Sequence, residues 1–160
     1  MIIRHTTLND LDEVMKLYKI AREFMKQNNN PNQWKDTTPT IEQIKKDIND
    51  YKSYVCIREN EIVGVFYFAI EEDITYYEID GKWLNNLPYG VIHRITSLYK
   101  GQGIATFIIN SCFGLVNNLR IDTHVDNIPM KNLLEKLGFK YCGIIKLLNN
   151  EPRNAYQKIN

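Results

Sequence analysis

The sequence predicts one α+β domain over residues 1–160, in which helices flank a mixed β-sheet. A length of 160 residues suits a single hydrophobic core. Apolar residues recur at helical spacing in some segments and form short β-rich runs in others, and the two kinds of segment are interspersed along the chain. No repeat, low-complexity tract or linker divides the sequence, which favours one domain over two.

The predicted elements follow the order βαα, ββ, βαβα, ββ. Helical periodicity predicts helices at 11–25, 41–48, 104–116 and 130–137. β-rich runs predict strands at 2–5, 54–58, 62–70, 91–96, 119–123, 139–147 and 155–159. Residues 71–89 are irregular and rich in aromatic side chains. A loop of this length inside a compact domain is often functional.

The composition is that of a globular protein without a strongly charged surface. Hydrophobic residues make up 44% of the chain and charged residues 24%. Twenty Lys and Arg residues stand against nineteen Asp and Glu residues, which gives a net charge of +1. Because the chain has no domain-wide basic field, we expect neither nucleic acid nor an anionic membrane as a partner.

The three cysteines, Cys56, Cys112 and Cys142, lie far apart in apolar segments. They form no Cys-x-x-Cys pair and no Cys/His spacing typical of zinc, so we expect no metal site and no disulfide framework. The N-terminal residues lack a long apolar stretch, and the longest such stretch, 63–70, is too short to cross a bilayer. These features favour a reducing, cytoplasmic location.

The sharpest local motif joins a predicted strand to a predicted helix. Its residues are Lys100, Gly101, Gln102, Gly103, Ile104 and Ala105. Glycines at this place let the backbone approach a ligand closely, and the helix N-terminus presents amide N–H groups with a partial positive charge. A diphosphate suits such a loop, and Lys100 can add a charge contact from its rim.

Three other interpretations compete for this loop. It can be an ordinary Gly-rich turn, because short glycine motifs match by chance. A Walker A loop is excluded, since no Gly-x4-Gly-Lys-Ser/Thr run exists. A dinucleotide-binding fingerprint is closer, with Asp122 about twenty residues further on. Thr106, however, occupies the third glycine position, and too little sequence remains for that fold.

The loop resembles the Arg/Gln-x-x-Gly-x-Gly/Ala motif of the GCN5-related N-acetyltransferases, with Lys100 in place of Arg or Gln. Residues 127–139 read Asn-x-x-Met-x-x-Leu-Leu-Glu-Lys-Leu-Gly-Phe, which is similar to the family's fourth helix and the Gly-Phe turn after it. Residues 154–158 are similar to its final strand. The predicted element order matches this acyl-CoA N-acyltransferase fold from the first strand to the last.

The resemblance implies an enzyme that moves an acetyl group from acetyl-CoA to an amine. Strands 91–96 and 119–123 would be parallel neighbours that splay apart, with the pantetheine arm between them. Backbone groups of Ile95, Thr96 and Ser97 would bind this arm, and the amides of the glycine loop would hold the pyrophosphate. Asn127 is the position whose side chain often meets the arm, although a helix cap explains it equally well.

One departure from the family pattern concerns proton transfer. Leu134 replaces the tyrosine that commonly returns a proton to the CoA thiolate. Either another group serves, or the thiolate leaves without an acid. Tyr141 and Tyr156 are candidate substitutes, although tyrosine is also common as a packing residue in strands.

His93 is the candidate general base, because it lies on the strand expected to face the thioester and has a suitable ordinary pKa of about 6.5. By strand alternation it shares a face with Val91 and Ile95, where a hydrogen-bonded core histidine is the alternative. Asp122 and His124 share a face of the next strand. They can form a carboxylate–histidine pair or belong to an ordinary surface network.

Four aromatic residues in the two long loops are candidate acceptor-binding residues: Trp34, Tyr76, Trp83 and Tyr89. They can form an aromatic wall for an amine or simply pack at the surface. The near-zero net charge favours a small-molecule or peptide amine as the acceptor, and the sequence leaves a homodimer open. The alternative function is a non-catalytic CoA-binding or interaction module that kept the fold.

Overall fold

The computed structural model describes all residues, 1–160, as one sheet of eight strands with four α-helices. The strands are β1 (Ile2–His5), β2 (Ser53–Arg58), β3 (Glu61–Ile70), β4 (Asp80–Gly81), β5 (Gly90–Ser97), β6 (Asn118–Thr123), β7 (Lys140–Lys146) and β8 (Pro152–Ile159). The helices are α1 (Leu11–Gln27), α2 (Ile41–Asn49), α3 (Ile104–Val116) and α4 (Ile128–Lys136). Short 3₁₀ helices span Leu8–Asp10 and Ile74–Tyr76.

Side-chain caps mark the starts of α2 and α4, and a left-handed residue follows the end of α1. The Thr40 side chain accepts a hydrogen bond from the Gln43 amide at the start of α2. Asn127 caps α4 in the same way through the Met130 amide. At the end of α1, Asn29 adopts a left-handed conformation with φ of 62°, which asparagine tolerates better than most residues. The predicted helices are therefore confirmed, with boundary shifts of one or two residues.

The strand order is β1-β2-β3-β5-β6-β8-β7-β4, and β5 and β6 are the parallel pair. Only two residue pairs join them: Gly90 with Leu119 and Val91 with Arg120. Beyond these pairs β5 follows β3, while β6 remains paired with β8 along its whole length. The predicted splay between the two strands is confirmed, and it divides the sheet into two halves.

A β-bulge in β5 directs this divergence. The β3–β5 register shifts between Val65 and Tyr67, and Arg94 has φ of +50°, which is uncommon for a residue with a side chain. The alternation of β5 side chains between the two faces of the sheet is broken at this bulge. Ile95 consequently packs with the same core cluster as Ile92, whereas His93 lies with Tyr67 on the other face. The expectation that His93 and Ile95 share a face is therefore wrong, because the extra residue reverses the pattern.

The sheet is covered on both faces. One face packs under α3 and α4, and its largest cluster includes Phe66, Ile108 and Leu134. The other face carries two clusters: one under α1 and α2 around Tyr18 and one under residues 71–89 around Tyr76. None of the helices combines the length and the apolar composition that a membrane span requires.

Residues 71–89, expected to be irregular, are fixed on the sheet by two sets of contacts. Strand β4 within this segment pairs with β7, and Gly81 faces Gly143 so closely that a Cβ on either would overlap the other strand's backbone. Further along, the Asn85 side-chain oxygen accepts hydrogen bonds from the side chains of Asn118 and Gln157, each with a donor–acceptor distance of 3.1 Å. The segment is therefore held firmly against the second half of the sheet.

Candidate functional site

Two cavities open where β5 and β6 diverge. The first, called the loop cavity, has a volume of about 360 Å³ and lies beside the Lys100–Ala105 loop, between α1 and α4. The second, called the histidine cavity, has a volume of about 610 Å³ and contains His93 and Asp122. The two cavities meet, because they share four lining residues: Met25, Ile95, Asn127 and Met130.

Unpaired backbone amides line the far end of the loop cavity. The amides of residues 100–103 donate to no acceptor in the protein, and the first hydrogen bond of α3 is from Phe107 to the Gly103 carbonyl, at 2.9 Å. The amides of the first turn of α3 are open as well, as at any uncapped helix start. Together with the helix dipole they form a site suited to a phosphate group.

The glycines of this loop are required by its backbone conformation. Gly101 has φ of +73° and Gly103 φ of +76°, in the region that glycine adopts without strain. A Cβ at either position would meet no protein atom within 4 Å, so each glycine borders open space. The Nζ atom of Lys100 lies 4.8 Å from the ring centre of Phe24. Gln102 is the one residue of the loop that does not line the loop cavity. Its side-chain oxygen accepts a hydrogen bond from Arg58 at 2.7 Å.

The wall between the loop and the junction is formed by β5 and the start of α4. Ile95, Thr96 and Ser97 line the loop cavity, as do Ile104 and Ala105. Because β5 pairs only with β3 along this stretch, its other edge has free backbone groups for an added extended chain. Asn127 borders both cavities.

A hydrogen-bonded cluster surrounds His93 in the histidine cavity. Its Nε2 lies 2.7 Å from Oδ2 of Asp73, and its Nδ1 lies 3.9 Å from Oδ2 of Asp122. The Tyr76 hydroxyl donates to the same Asp122 oxygen at 2.6 Å. Asp73 fixes the tautomer by accepting from Nε2–H, so in the neutral ring the lone pair lies on Nδ1. The 3.9 Å gap is too long for a hydrogen bond.

The electrostatics of the cluster follow from burial and hydrogen bonding. Burial alone would raise the pKa of Asp73, but hydrogen bonds from His93 and Thr75 outweigh it and lower the pKa to about 2. Burial and the neighbouring Asp122 carboxylate raise the pKa of Tyr76 well above its ordinary value. Tyr76 therefore stays a neutral donor to Asp122, and two carboxyl side chains, those of Asp73 and Asp122, flank His93.

The nearby cations do not neutralise these carboxylates. Arg94 forms two hydrogen bonds with Asp47, at 2.9 and 3.1 Å. Lys35 and Arg153, on another wall of the histidine cavity, both pair with Glu151. The environment of His93 is therefore acidic, which favours a cation in this part of the cavity.

Comparison with known proteins decides the family. The family model for the Acetyltransferase (GNAT) family matches residues 14–139, most of the chain. The chain belongs to the GNAT acetyltransferase family. No curated protein sequence matches it significantly. A GNAT-family acetyltransferase from Streptococcus agalactiae is 30% identical, with a TM-score of 0.90, and the match covers 99% of this chain and 95% of that one.

Two more distant structures share the fold with this GNAT acetyltransferase. A ribosomal-protein-alanine N-acetyltransferase from Brucella melitensis is 19% identical over the full length of both chains, with a TM-score of 0.69. An aminoglycoside acetyltransferase, solved in complex with coenzyme A and kanamycin, is 15% identical with a TM-score of 0.68, and the match covers 99% and 94% of the two chains. The fold class predicted from the sequence is thus confirmed.

Among the aromatic residues predicted to bind the acceptor, only Trp34 lines the histidine cavity of this GNAT protein. Tyr76, Trp83 and Tyr89 form a buried cluster under the 71–89 segment, with at most 8% of each residue exposed. The indole of Trp83 donates to the Tyr76 carbonyl, and its ring and that of Tyr89 flank Arg120. Their prediction as an exposed aromatic wall is corrected: they hold the segment in place, and Tyr76 reaches the site through its hydroxyl.

The predicted substitutes for the missing tyrosine do not reach either cavity. Tyr141 and Tyr156 face each other on β7 and β8, with ring centres 5.7 Å apart, and neither lines the cleft. Tyr156 is 2% exposed in the same core cluster as Leu134. Neither tyrosine is therefore placed to protonate a thiolate in the cleft: Tyr156 is a core residue, and Tyr141 is 55% exposed on β7. His124 is also outside the site, where it accepts a hydrogen bond from the Asp126 amide at 3.0 Å.

Sequence reasoning missed two residues that the fold brings to the cleft, Asp73 and Gln33. Asp73 comes from the 71–89 segment and contacts His93, and Asp122 also lies nearest to His93 rather than forming the predicted pair with His124. Gln33, from the loop after α1, accepts a hydrogen bond from Asn127 at 2.8 Å and so closes over the junction. Nothing in the local sequence around Asp73 or Gln33 signals these contacts, because both arise from packing between distant segments.

The low pKa of Asp73 predicts a specific pH dependence of stability. A carboxylate whose pKa falls from 3.8 to about 2 on folding stabilises the protein above pH 4, and this contribution disappears as the pH falls to 2. We expect Asp73→Asn to lower the free energy of unfolding by about 2 kcal/mol at pH 6 and by almost nothing at pH 2. Urea unfolding across this range measures the difference. Asp12→Asn, at an exposed helix position, is the control, and an equal loss for Asp73→Asn at every pH would contradict the assignment.

Proposed function

We propose that this GNAT acetyltransferase moves an acetyl group from acetyl-CoA to the amine of a small molecule or peptide. The observation that carries the proposal is the meeting of the two cavities at the splay between β5 and β6. One ends at unpaired backbone amides, and the other contains a histidine between two carboxylates. A donor and an acceptor bound from opposite sides would therefore come together at the junction.

The loop cavity fits CoA in its chemistry. The unpaired amides of residues 100–103 and the open first turn of α3 would hold the pyrophosphate. The free edge of β5 from Ile95 to Ser97 would hydrogen-bond the pantetheine arm as an added strand does. When bound, acetyl-CoA supplies a thioester carbonyl that a neutral amine can attack. The apolar side chains of Met25, Ile95 and Met130 would exclude water from that point.

His93 would make the amine neutral. Asp73 holds Nε2–H, which leaves the Nδ1 lone pair of the neutral ring as the proton acceptor. An ammonium group placed between Nδ1 and Asp122 would hydrogen-bond the carboxylate and give its proton to the ring. Asp73, with its low pKa, stabilises the imidazolium that results. Tyr76 keeps Asp122 oriented by donating to it.

The thiolate of CoA would leave without a protein acid at the junction, and the second amine proton, lost as the amide forms, would pass to the thiolate or to solvent water. The four residues shared by both cavities, Met25, Ile95, Asn127 and Met130, include no ionisable side chain. Leu134, at the position of the family's tyrosine, is fully buried. Tyr141 and Tyr156, the candidate substitutes, pack against each other outside both cavities. A thiolate is a tolerable leaving group, so the reaction would be slowed rather than abolished. General acid catalysis typically contributes about 10²–10⁴ in rate.

The acceptor would be a cationic amine of modest size. The two carboxylates beside His93 attract an ammonium, and the exposed side of the histidine cavity has Trp34 for apolar or cation–π contact. Its volume of about 610 Å³ accommodates a small molecule or the end of a peptide chain. The near-zero net charge of +1 provides no field for a polyanionic target.

A non-catalytic CoA-binding module of the same fold is the second candidate, favoured by the loss of the fourth-helix tyrosine at Leu134. The two functions differ in turnover. An enzyme releases free thiol from acetyl-CoA when a panel of amines is supplied, whereas a binding module shows affinity for CoA without thiol release.

Titration of CoA by calorimetry tests donor binding. We expect Gly103→Asp to weaken CoA affinity about tenfold or more, because a left-handed aspartate is strained and its charge repels the diphosphate. Gly114→Asp, on the exposed side of the same helix, is the matched control and should leave the affinity unchanged. Absence of binding to the unmodified protein at millimolar CoA, or equal affinities for the two variants, would contradict the proposal.

Steady-state kinetics test the role of His93 once the amine panel has identified an acceptor. We expect His93→Ala to lower kcat/KM by about 10² or more, with CoA affinity nearly unchanged, because the base would be lost while the loop cavity remains intact. The rise of kcat/KM with pH should flatten in this variant. His124→Ala serves as the control. Normal activity per molecule combined with a large loss of thermal stability would show that His93 is a core residue.

A further inference from the structure

Asn30 is a residue of the loop-cavity wall whose buried side-chain oxygen has no hydrogen-bond partner in the protein. Asn30 is 2% exposed, and its Oδ1 is unpaired. Buried amide oxygens almost always have a hydrogen-bond partner, because an unpaired one lowers the free energy of unfolding. Asn30 lines the loop cavity beside Met25 and Asn127. An unpaired acceptor at such a place points to a ligand that supplies the donor.

The orientation of the Asn30 amide follows from its neighbours. The Met130 backbone N–H donates to Oδ1 of Asn127 at 3.2 Å, so the Asn127 amide nitrogen faces the other way and donates to Oε1 of Gln33 at 2.8 Å. Because Oε1 of Gln33 can only accept, the Asn30 group that contacts it, also at 2.8 Å, is the amide nitrogen. The free atom of Asn30 is therefore its oxygen.

The backbone fixes Asn30 in this position. The Asn30 N–H donates to the Met25 carbonyl at 2.8 Å, and the Asn29 N–H donates to Lys26 at 3.3 Å, which together form a Schellman motif after α1. The residue at the place of Asn30 in this motif commonly makes an apolar contact with the helix. A buried amide there departs from the local pattern, and such departures are typical of functional positions.

We propose that Asn30 Oδ1 accepts a hydrogen bond from an amide N–H of the pantetheine arm of CoA. Phosphate oxygens are only acceptors and cannot pair with it, whereas the arm has two amide N–H groups. Asn30 is linked through Gln33 to Asn127, which borders both cavities, so it lies towards the thiol end of the cleft. The inference rests on the proposed binding of CoA.

The test compares Asn30→Leu with Gln27→Leu, an amide-to-leucine change at an exposed position of the same helix end. We expect Asn30→Leu to weaken CoA binding about tenfold in calorimetry, while its affinity for ADP, which lacks pantetheine, stays unchanged. Without ligand, its midpoint of thermal unfolding should not fall, because Oε1 of Gln33 retains the Asn127 hydrogen bond and the unpaired oxygen is gone. Gln27→Leu should change none of the three quantities.

Each other outcome overturns the assignment. Equal CoA affinity of Asn30→Leu and the unmodified protein would show that Oδ1 meets no ligand, while donor binding itself would stand. A parallel loss of ADP and CoA affinity would show a general distortion of the cavity. Failure of the unmodified protein to bind CoA at all would refute both this inference and the proposed function.

Discussion

The bulge at Arg94 is the constraint on which the cleft depends. Three contacts hold its left-handed backbone: the Tyr18 hydroxyl donates to the Arg94 carbonyl at 2.8 Å, and Asp47 accepts two hydrogen bonds from the guanidinium. Burial raises the pKa of Asp47 in spite of Arg94, so the ion pair only partly offsets the cost of burying this carboxylate. We infer that it serves geometry: it fixes β5 against α1 and α2 at the point where β5 leaves β6.

The two cavities of the proposed site meet at that divergence. The bulge sends Ile95 to one face and leaves His93 on the other, so the same strand contributes to both cavities. The 71–89 segment brings Asp73 to His93, and its own placement relies on the β4 pairing and on the half-buried Asn85 contacts. Contacts made away from the cleft thus place the carboxylate of Asp73 beside His93.

The sequence contained enough local information to predict the fold and the conformation of the glycine loop. Caps at Thr40 and Asn127, helical periodicity and the two glycines of the loop all describe contacts within a few residues. Local sequence information was insufficient where one extra residue reverses the side-chain alternation of a strand, or where segments distant in sequence meet. Alternation in β5 failed at Arg94, and buried aromatic residues such as Trp83 could not be distinguished from exposed ones by their spacing. The Asp73–His93 contact depends on how a nineteen-residue segment folds over the sheet.

A crystal structure of the protein with CoA tests the central claim most directly, namely that the splay between β5 and β6 is the donor site. The account predicts the pyrophosphate on the amides of residues 101–105, the pantetheine arm along the free edge of β5 from Ile95 to Ser97, and the thiol at the junction beside Asn127. A CoA molecule bound outside the splay, or a β5–β6 pair that continues beyond Val91 when CoA binds, would contradict it.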